Sequence, residues 1–414
     1  MIMEFHLKKG VREMEIKKVT RNNYLDWLRL LAILFVFVYH STRFFNLEDW
    51  EVKNPVRYEW VEVWNAFAWN WMMPIIFVIS GASLFYAIGR GSAGKFIKDK
   101  VLRLLVPYLV AVFTHATLQV YLNWITHGRF SGSYFQFLPK YFAEVFAASK
   151  GPLFIFELWQ MHLWYLLWLF IFTLLLYPLM RWLKGNGRQV LSAIGSFLER
   201  PGAVYLLALP TVLLMAFGNP DHPLIAEKAG GWSLVIYLWL LFTGFIVLST
   251  DRLQASIKRL RWLSLGIAVI ILISVLFLLV TLGTPVYGTP LYTVGLGLAG
   301  FSSWCWILAF FGLSMSYLDY RKPVLEYANQ AVLPFYILHQ SVLICVGYFI
   351  VQWPIPDLLK WVTILVISFV IIMGLYEYFI RRIKVLRILF GMKVMPKPQG
   401  ASAIKQIQEA GRTA

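Results

Sequence analysis

Apolar runs of about 20 residues, separated by short charged connections, recur along the whole chain and constrain its fold more than any other feature. The hydrocarbon core of a bilayer is roughly 30 Å thick and a helix rises about 1.5 Å per residue, so each run is one crossing. In lipid the backbone must satisfy its own hydrogen bonds, and runs this long do so as helices. About ten crossings are expected, near residues 25 to 45, 64 to 88, 103 to 125, 160 to 181, 203 to 218, 231 to 250, 262 to 282, 294 to 316, 329 to 351 and 358 to 380. The expected fold class is all-α, a polytopic integral membrane helical bundle. Composition agrees: 59% of the 414 residues are hydrophobic and 14% charged, whereas a soluble globular chain has roughly 45 to 50% apolar and about 25% charged residues.

Lys and Arg are retained on the cytoplasmic side of short connections, so their distribution orients the bundle. Lys8, Lys9, Arg12, Lys17, Lys18 and Arg21 precede the first run, and alternate later connections carry Lys95, Lys98, Lys100, Arg103, Arg181, Lys184, Arg188, Arg252, Lys258, Arg259, Arg261, Arg321 and Lys322. Arg381, Arg382, Lys384 and Arg387 follow the last run, which places both termini in the cytoplasm and requires an even number of crossings. The intervening connections carry Glu48, Asp49, Glu51, Glu59, Glu62, Asp221, Glu227 and Asp357 and are expected outside. The net charge of +17 is spread between crossings instead of gathering on a soluble face, so no nucleic-acid partner is expected. No small-residue cleavage site follows a short apolar stretch near the start, and the first run reads as an uncleaved anchor. The expected division is a basic cytoplasmic tail over 1–24, a transmembrane domain over 25–381 and a cytoplasmic tail over 382–414. The tail is expected to be partly flexible around Pro396, Pro398, Gly400 and Ser402, and the whole to be multi-pass in the inner (cytoplasmic) membrane.

Several patterns read as structure. Cys305 and Cys345 both fall inside apolar runs, as small buried residues with no disulfide framework or CxxC metal site. Gly295, Gly297 and Gly300 match GxGxxG by letter but open an apolar run, which suits close helix packing and not a dinucleotide. Trp60, Trp64, Trp69, Trp71, Trp159, Trp164 and Trp168 crowd the outer boundary, as an aromatic belt or as surfaces for stacking sugars. The connection over 126–158 combines Gly128, Ser131, Gly132, Ser133 and Pro139 with Phe130, Tyr134, Phe135 and Phe137, and reads as a partly ordered loop, re-entrant or substrate-facing.

An ionisable residue inside a crossing costs about 2.5 to 3.5 kcal/mol on insertion scales, so each one is a functional candidate facing the bundle interior. The first run, NYLDWLRLLAILFVFVYHSTRFF, holds Asp26, Arg29 and His40. From Arg29 to His40 the helix turns by about 1100°, or three turns plus about 20°, and rises about 16 Å. One stripe thus joins a cation at the cytoplasmic boundary to an acid/base group toward the outside. Asp26 either neutralises Arg29 or tunes the site directly. His339 lies mid-run beside Gln340, ten residues after Asn329, a hydrogen-bonding cluster deep in the membrane that serves either the chemistry or interhelical packing. His162 opens the fourth run and suits an interface anchor or an acceptor contact. Arg43, one turn outside His40, can clamp a substrate carboxylate or snorkel to headgroups. Glu377 and Arg381 have the spacing of a helix ion pair.

The Arg29-x10-His40 stripe, FVISGASLF at 77–85, RLLVPY at 103–108, HLWYL at 162–166 and YILHQ at 336–340, in that order on successive crossings, together resemble the acyltransferase-3 family of integral membrane acyltransferases. The resemblance spans roughly residues 20–380, and NQAVLPFYILHQ at 329–340 is most similar to the glucan-succinylating branch. It implies an O-acyltransferase with acyl-CoA as cytoplasmic co-substrate, a hydroxyl of an extracytoplasmic carbohydrate or glycan as acceptor, His40 as the leading catalytic residue and Arg29 as essential. Donor binding falls to Arg103 and Lys100. Many members carry a second arginine at the position of Lys100, and lysine keeps the charge but loses the planar fork that grips a phosphate through two hydrogen bonds.

Imidazole suits such a transfer because its pKa of about 6.5 lets it take a hydroxyl proton near neutral pH and return it, in direct attack or through a transient acyl-histidine. No serine elbow, HExxH or Asp-rich pattern accompanies it, so no metal and no bound cofactor are expected. The rival is a transporter or flippase, in which charged residues lining a bundle carry solute without acyl chemistry. The unrelated membrane-bound O-acyltransferase fold does not fit the Arg29 and His40 pattern. Membrane lipid is a partner under every reading.

Overall fold

A computed structural model describes residues 22–89, 91–148, 161–222 and 229–393. The cations from Lys8 to Arg21, Trp159, Glu227 and the stretch with Pro396, Pro398, Gly400 and Ser402 lie outside the described residues. Helices account for all regular structure among the described residues: α1 (Asn23–Thr42), α2 (Trp60–Ala87), α3 (Ala93–Phe113), α4 (His115–Thr126), α5 (Tyr134–Ala148), α6 (Met161–Lys184), α7 (Arg188–Leu198), α8 (Ala203–Phe217), α9 (Leu234–Val247), α10 (Asp251–Leu282), α11 (Pro290–Tyr317), α12 (Pro323–Ile350), α13 (Asp357–Ile380) and α14 (Lys384–Leu389).

Among the described residues, seven helices, α1, α2, α6, α10, α11, α12 and α13, are long and apolar enough to cross a membrane, or up to nine crossings if the bent pairs α3/α4 and α7/α8 count once each. Each of the ten expected runs contains a helix, but three of them are not simple crossings. The run at 103–125 bends by 41° at Thr114. The run at 203–218 continues α7 through a 113° bend at Pro201 and Gly202, where Gly202 takes a φ of 78° that residues with a side chain avoid. The run at 231–250 shrinks to α9, whose 14 residues rise only about 21 Å against a core of roughly 30 Å. Ser233 caps α9 and Thr250 caps α10 through their side-chain oxygens, so capping and not hydropathy sets these ends.

The connection over 126–158 also departs from expectation, because Tyr134–Ala148 is helical. Ser133 and Gln136 start it with one arm of a capping box, Gln136 Oε1 accepting the Ser133 N–H at 2.8 Å. Phe137 and Tyr141, one turn apart, are buried, while Phe135 on the opposite face is 80% exposed.

α1 packs against α2, α11, α12 and α13 near the middle of the bundle. Trp361 near the start of α13 donates to Ser41 Oγ near the end of α1 at 2.9 Å, and Lys360 Nζ reaches Asn54 Oδ1 at 3.2 Å. The two helices are therefore antiparallel, and the start of α1 and the end of α13 lie on one side. The Glu377–Arg381 pair forms at 2.9 Å. Cys305 is buried, Cys345 is half-buried and both are free thiols.

α2 and α9 meet backbone to backbone. A Cβ at Gly81 would stand 1.9 Å from the Leu241 carbonyl oxygen, and one at Gly244 2.0 Å from that of Val78. Lipid gives helices no hydrophobic drive to associate, so small residues that permit close approach carry the packing. This explains the glycine of FVISGASLF. Gly81→Ala or Gly244→Ala is expected to destabilise the fold by about 1 to 3 kcal/mol or more, read as a lowered melting temperature in detergent; an unchanged melting temperature in both variants would contradict the contact. Gly297 and Gly300 face α8, where an added Cβ would meet Ala216 at 3.5 Å and the Met215 sulfur at 3.1 Å, whereas one at Gly295 meets nothing within 4 Å. Close packing thus explains two of the three glycines.

Candidate active site

α1 and α12 each carry two polar side chains eleven positions apart, Arg29 and His40 on one and Asn329 and Gln340 on the other. Three helical turns plus about 20° separate the members of each pair, so each pair lies along one face. The helices run in the same direction, and two cavities open between them and their neighbours. One, of about 240 Å³, is basic: Arg29, Lys100, Arg103 and Asn329 line it. The other, of about 650 Å³, holds His40, His162, Gln340 and Arg43. Tyr336 lines both.

The motif residues build the basic cavity. Ser83, one turn from Ser80, accepts from Arg29 Nη2 at 2.6 Å, and Ser80 shares a 2.6 Å hydrogen bond with the Tyr165 hydroxyl. Asp26 holds Arg29 Nη1 at 3.2 Å, is 6% exposed and lines neither cavity, so it positions the guanidinium. Pro107 has no N–H to continue an ordinary ladder, and just before it Val101–Leu105 forms a π-helical turn in which the Val106 N–H bonds the Val101 carbonyl. Such turns shift the register of the side chains around them, and Lys100 and Arg103 on either side of its start reach the same cavity. No carboxylate is among the lining residues: Asp26 engages Arg29 from outside the cavity, and the three cations give a net positive lining that favours an anionic ligand. The Asn329 Oδ1 is buried there without a partner.

Hydrogen bonds around the histidines fix their tautomers. His339 Nδ1 lies 2.6 Å from the Tyr336 carbonyl, which can only accept, so Nδ1 carries the proton and Nε2 of the neutral ring accepts. His40 Nδ1 stands 3.1 Å from that Nε2 and must therefore be the donor. The lone pair of His40 is thus on Nε2, and His40 is held as the tautomer whose Nε2 can take a proton. His162 Nε2 similarly donates to the Ile337 carbonyl at 3.1 Å, which leaves Nδ1 as an acceptor, buried and without a partner. The Tyr336 hydroxyl donates to the His162 carbonyl oxygen. His339→Ala removes the acceptor that orients His40. Turnover is expected to fall by about 10- to 100-fold with substrate binding kept, and His339→Asn, whose amide oxygen can accept the same proton, should lose less. Equal turnover in wild type and His339→Ala would remove His339 from the site.

The loop between α1 and α2 folds over His40. Lys53 Nζ knots it by donating to the carbonyls of Arg43, Asn46 and Glu48 at 2.6 to 2.9 Å. The knot brings the Trp50 ring parallel to that of His40, with centroids 6.4 Å apart. Asp49 bonds His127 at 3.0 Å, which holds the carboxyl below its usual range and raises the imidazole. The Arg43 guanidinium bonds Glu48 and, at 3.1 Å, the Asp49 carbonyl, so a substrate carboxylate would have to share it. Trp69 and Trp164 line the histidine cavity while Trp60 is 66% exposed, so the tryptophans divide between a site wall and the outer surface.

The sequence reading passed over His115, whose Nε2 is 3.1 Å from the same Ile337 carbonyl that His162 engages. His115 sits in an apolar run, and the rule that singled out His40 applies to it equally. Tyr336 was passed over within YILHQ because a neutral aromatic fits packing as readily as a site. Among the described residues no group of three or more His, Cys, Asp or Glu is arranged to hold a metal ion.

The acyltransferase-3 family, described as an acyltransferase domain, matches residues 22–377. The chain is similar to proteins named Glucans biosynthesis protein C from Salmonella paratyphi B, Salmonella enteritidis and Salmonella choleraesuis, each 24% identical over 402 residues, covering 93% of this chain and 98% of the relative. No solved structure matches it. With its family motifs gathered around two adjoining cavities, the chain belongs to the acyltransferase-3 family and is a multi-pass membrane O-acyltransferase.

Proposed function

We propose that this protein takes an acyl group, acetyl or succinyl, from cytoplasmic acyl-CoA and transfers it to a hydroxyl of an extracytoplasmic glycan at the inner membrane. The observation that carries this reading is the pair of cavities sharing Tyr336, one ringed by Arg29, Lys100 and Arg103 and the other holding the His40 Nε2 lone pair. The CoA phosphates pair with the three cations, and the thioester extends past Tyr336 toward His40. Both termini and the basic cavity face the cytoplasm, as the excess of Lys and Arg in the connections favours.

In the reaction, His40 Nε2 takes the proton of the acceptor hydroxyl as its oxygen attacks the thioester carbonyl. The C–S bond breaks, the imidazolium returns the proton to the CoA thiolate, and an ester and free CoA leave. The His40 Nδ1–H bond to neutral His339 keeps the ring oriented in both directions of proton transfer. The name of the relatives supports a glucan-like acceptor. Mass spectrometry of envelope glycans from cells with and without the gene tests the reading. Esters that disappear with the gene are expected, together with CoA release by the purified protein. Solute flux without ester or CoA would instead favour transport.

A further inference from the structure

Four hydrogen-bond-accepting atoms in the histidine cavity are buried without a partner: Glu51 Oε2, Asn65 Oδ1, His162 Nδ1 and Gln340 Oε1. Asn65, His162 and Gln340 are 7%, 5% and 3% exposed, so bulk water does not satisfy them. The Asn65 amide cannot be turned round to hide its oxygen, because its Nδ2 donates at 3.3 Å to Glu62 Oε2, which only accepts. His162 is fixed by its bond to Ile337. Buried acceptors left unpaired are rare in folded proteins and mark a place where a ligand supplies the donors.

Acidic groups outnumber the cation around these atoms. Arg43 is the cation among the lining residues, and its guanidinium is already bonded to Glu48 and the Asp49 carbonyl. Glu48, Glu51 and Glu62 line the same space. Glu51 is delivered there by the fold: Thr126 Oγ1 of α4 donates to its carbonyl at 2.7 Å, and its neighbour Trp50 lies over His40.

Resting on the proposed transfer to a glycan hydroxyl, we infer that the histidine cavity binds a neutral, polyhydroxylated sugar unit and rejects anionic ones, with Glu51 as the residue that reads charge. Hydroxyl groups donate to the Glu51, Asn65, His162 and Gln340 acceptors, whereas a carboxylate or phosphate brings further acceptors and repels Glu51. Burial pushes the Glu51 carboxyl up to about 7, so the rejection of anions strengthens as pH rises through neutrality. Arg43, Asp49 and His127 face Glu51, and the hydrogen bond to Asp49 raises the His127 imidazole, so a Glu51 variant is needed to isolate the effect.

The test measures binding of cellopentaose and of its C6-oxidised, carboxylate-bearing counterpart to the full-length protein in detergent, for wild type and Glu51→Gln. At about pH 8 wild type should bind the neutral sugar at least about tenfold more tightly. Glu51→Gln keeps an acceptor oxygen and the volume, so it should hold the neutral sugar within about threefold while the preference narrows by about fivefold or more. Lowering the pH to about 6 should narrow the wild-type preference and leave that of Glu51→Gln unchanged. Equal affinities in wild type, an unchanged preference in Glu51→Gln, or no binding of the neutral sugar at millimolar concentration would each overturn the inference. Ester formation is followed in the same preparations: discrimination without ester defeats the proposed function alone, and ester without discrimination defeats this inference alone.

Discussion

His40→Ala is expected to abolish acyl transfer, with turnover falling by about 10²- to 10⁴-fold, the range for loss of a general acid/base group. The variant should still insert and fold, because the His40 side chain faces a cavity of about 650 Å³ instead of filling a packed core. Acyl-CoA affinity should be unchanged, since the cations assigned to the donor line the other cavity. That cavity geometry adds a sharper readout. Free imidazole can enter the vacated space and donate the same hydrogen bond to His339 Nε2, so millimolar imidazole should restore part of the activity to His40→Ala and none to His339→Ala. Turnover of His40→Ala within about threefold of wild type would take His40 out of the mechanism.

Arg29→Ala is expected to act on the donor. Hydrogen bonds to charged groups contribute about 1.5 to 3 kcal/mol, so losing the guanidinium should weaken acyl-CoA binding by about 10- to 100-fold. Lys100 and Arg103 remain and set a floor to the loss. Asp26→Asn, which loosens the Arg29 side chain without removing it, should weaken donor binding less than Arg29→Ala, because the Ser83 hydrogen bond still holds the guanidinium. Arg29→Lys should recover only part, since an ammonium cannot bond both Ser83 and a phosphate in one planar fork. Unchanged donor affinity in Arg29→Ala, measured beside normal affinity in His40→Ala, would refute the division of the two cavities between donor and acceptor.

The parts of this site that local periodicity controls were legible before the fold was known. Arg29 and His40 lie on one helix, and their spacing alone placed them on one stripe. The matching stripe on α12 was nearly legible: the sequence reading measured from Asn329 to His339, whereas the group that mirrors the Arg29–His40 spacing is Gln340. His115 was available from the same cost argument that selected His40. The capping contact of Ser133 and Gln136 was equally local, and it was obscured by the Gly and Ser residues around it, which read as loop.

Glu51 and Asn65 were not legible. In the sequence Glu51 is one acid among several in an outer connection, and only the Lys53 knot and the Thr126 contact from α4 turn it toward His40. Hydropathy alone reads about ten crossings where seven to nine helices or bent pairs among the described residues are long enough to cross, and the difference has a related reason. α9 is as apolar as a full span, but Ser233 caps its start and Thr250 caps the start of α10 soon after it ends, and hydropathy does not report these caps.

Vectorial transfer in proteoliposomes tests the central claim most directly. Labelled acetyl-CoA or succinyl-CoA is supplied only outside vesicles in which the protein is oriented with its basic cavity outward, and a neutral oligosaccharide is trapped inside. The two-cavity account predicts labelled ester on the trapped sugar and one free CoA outside for each ester formed, with neither in His40→Ala vesicles. Ester that forms only when donor and sugar share a compartment, or label that enters the lumen without becoming esterified, would contradict it.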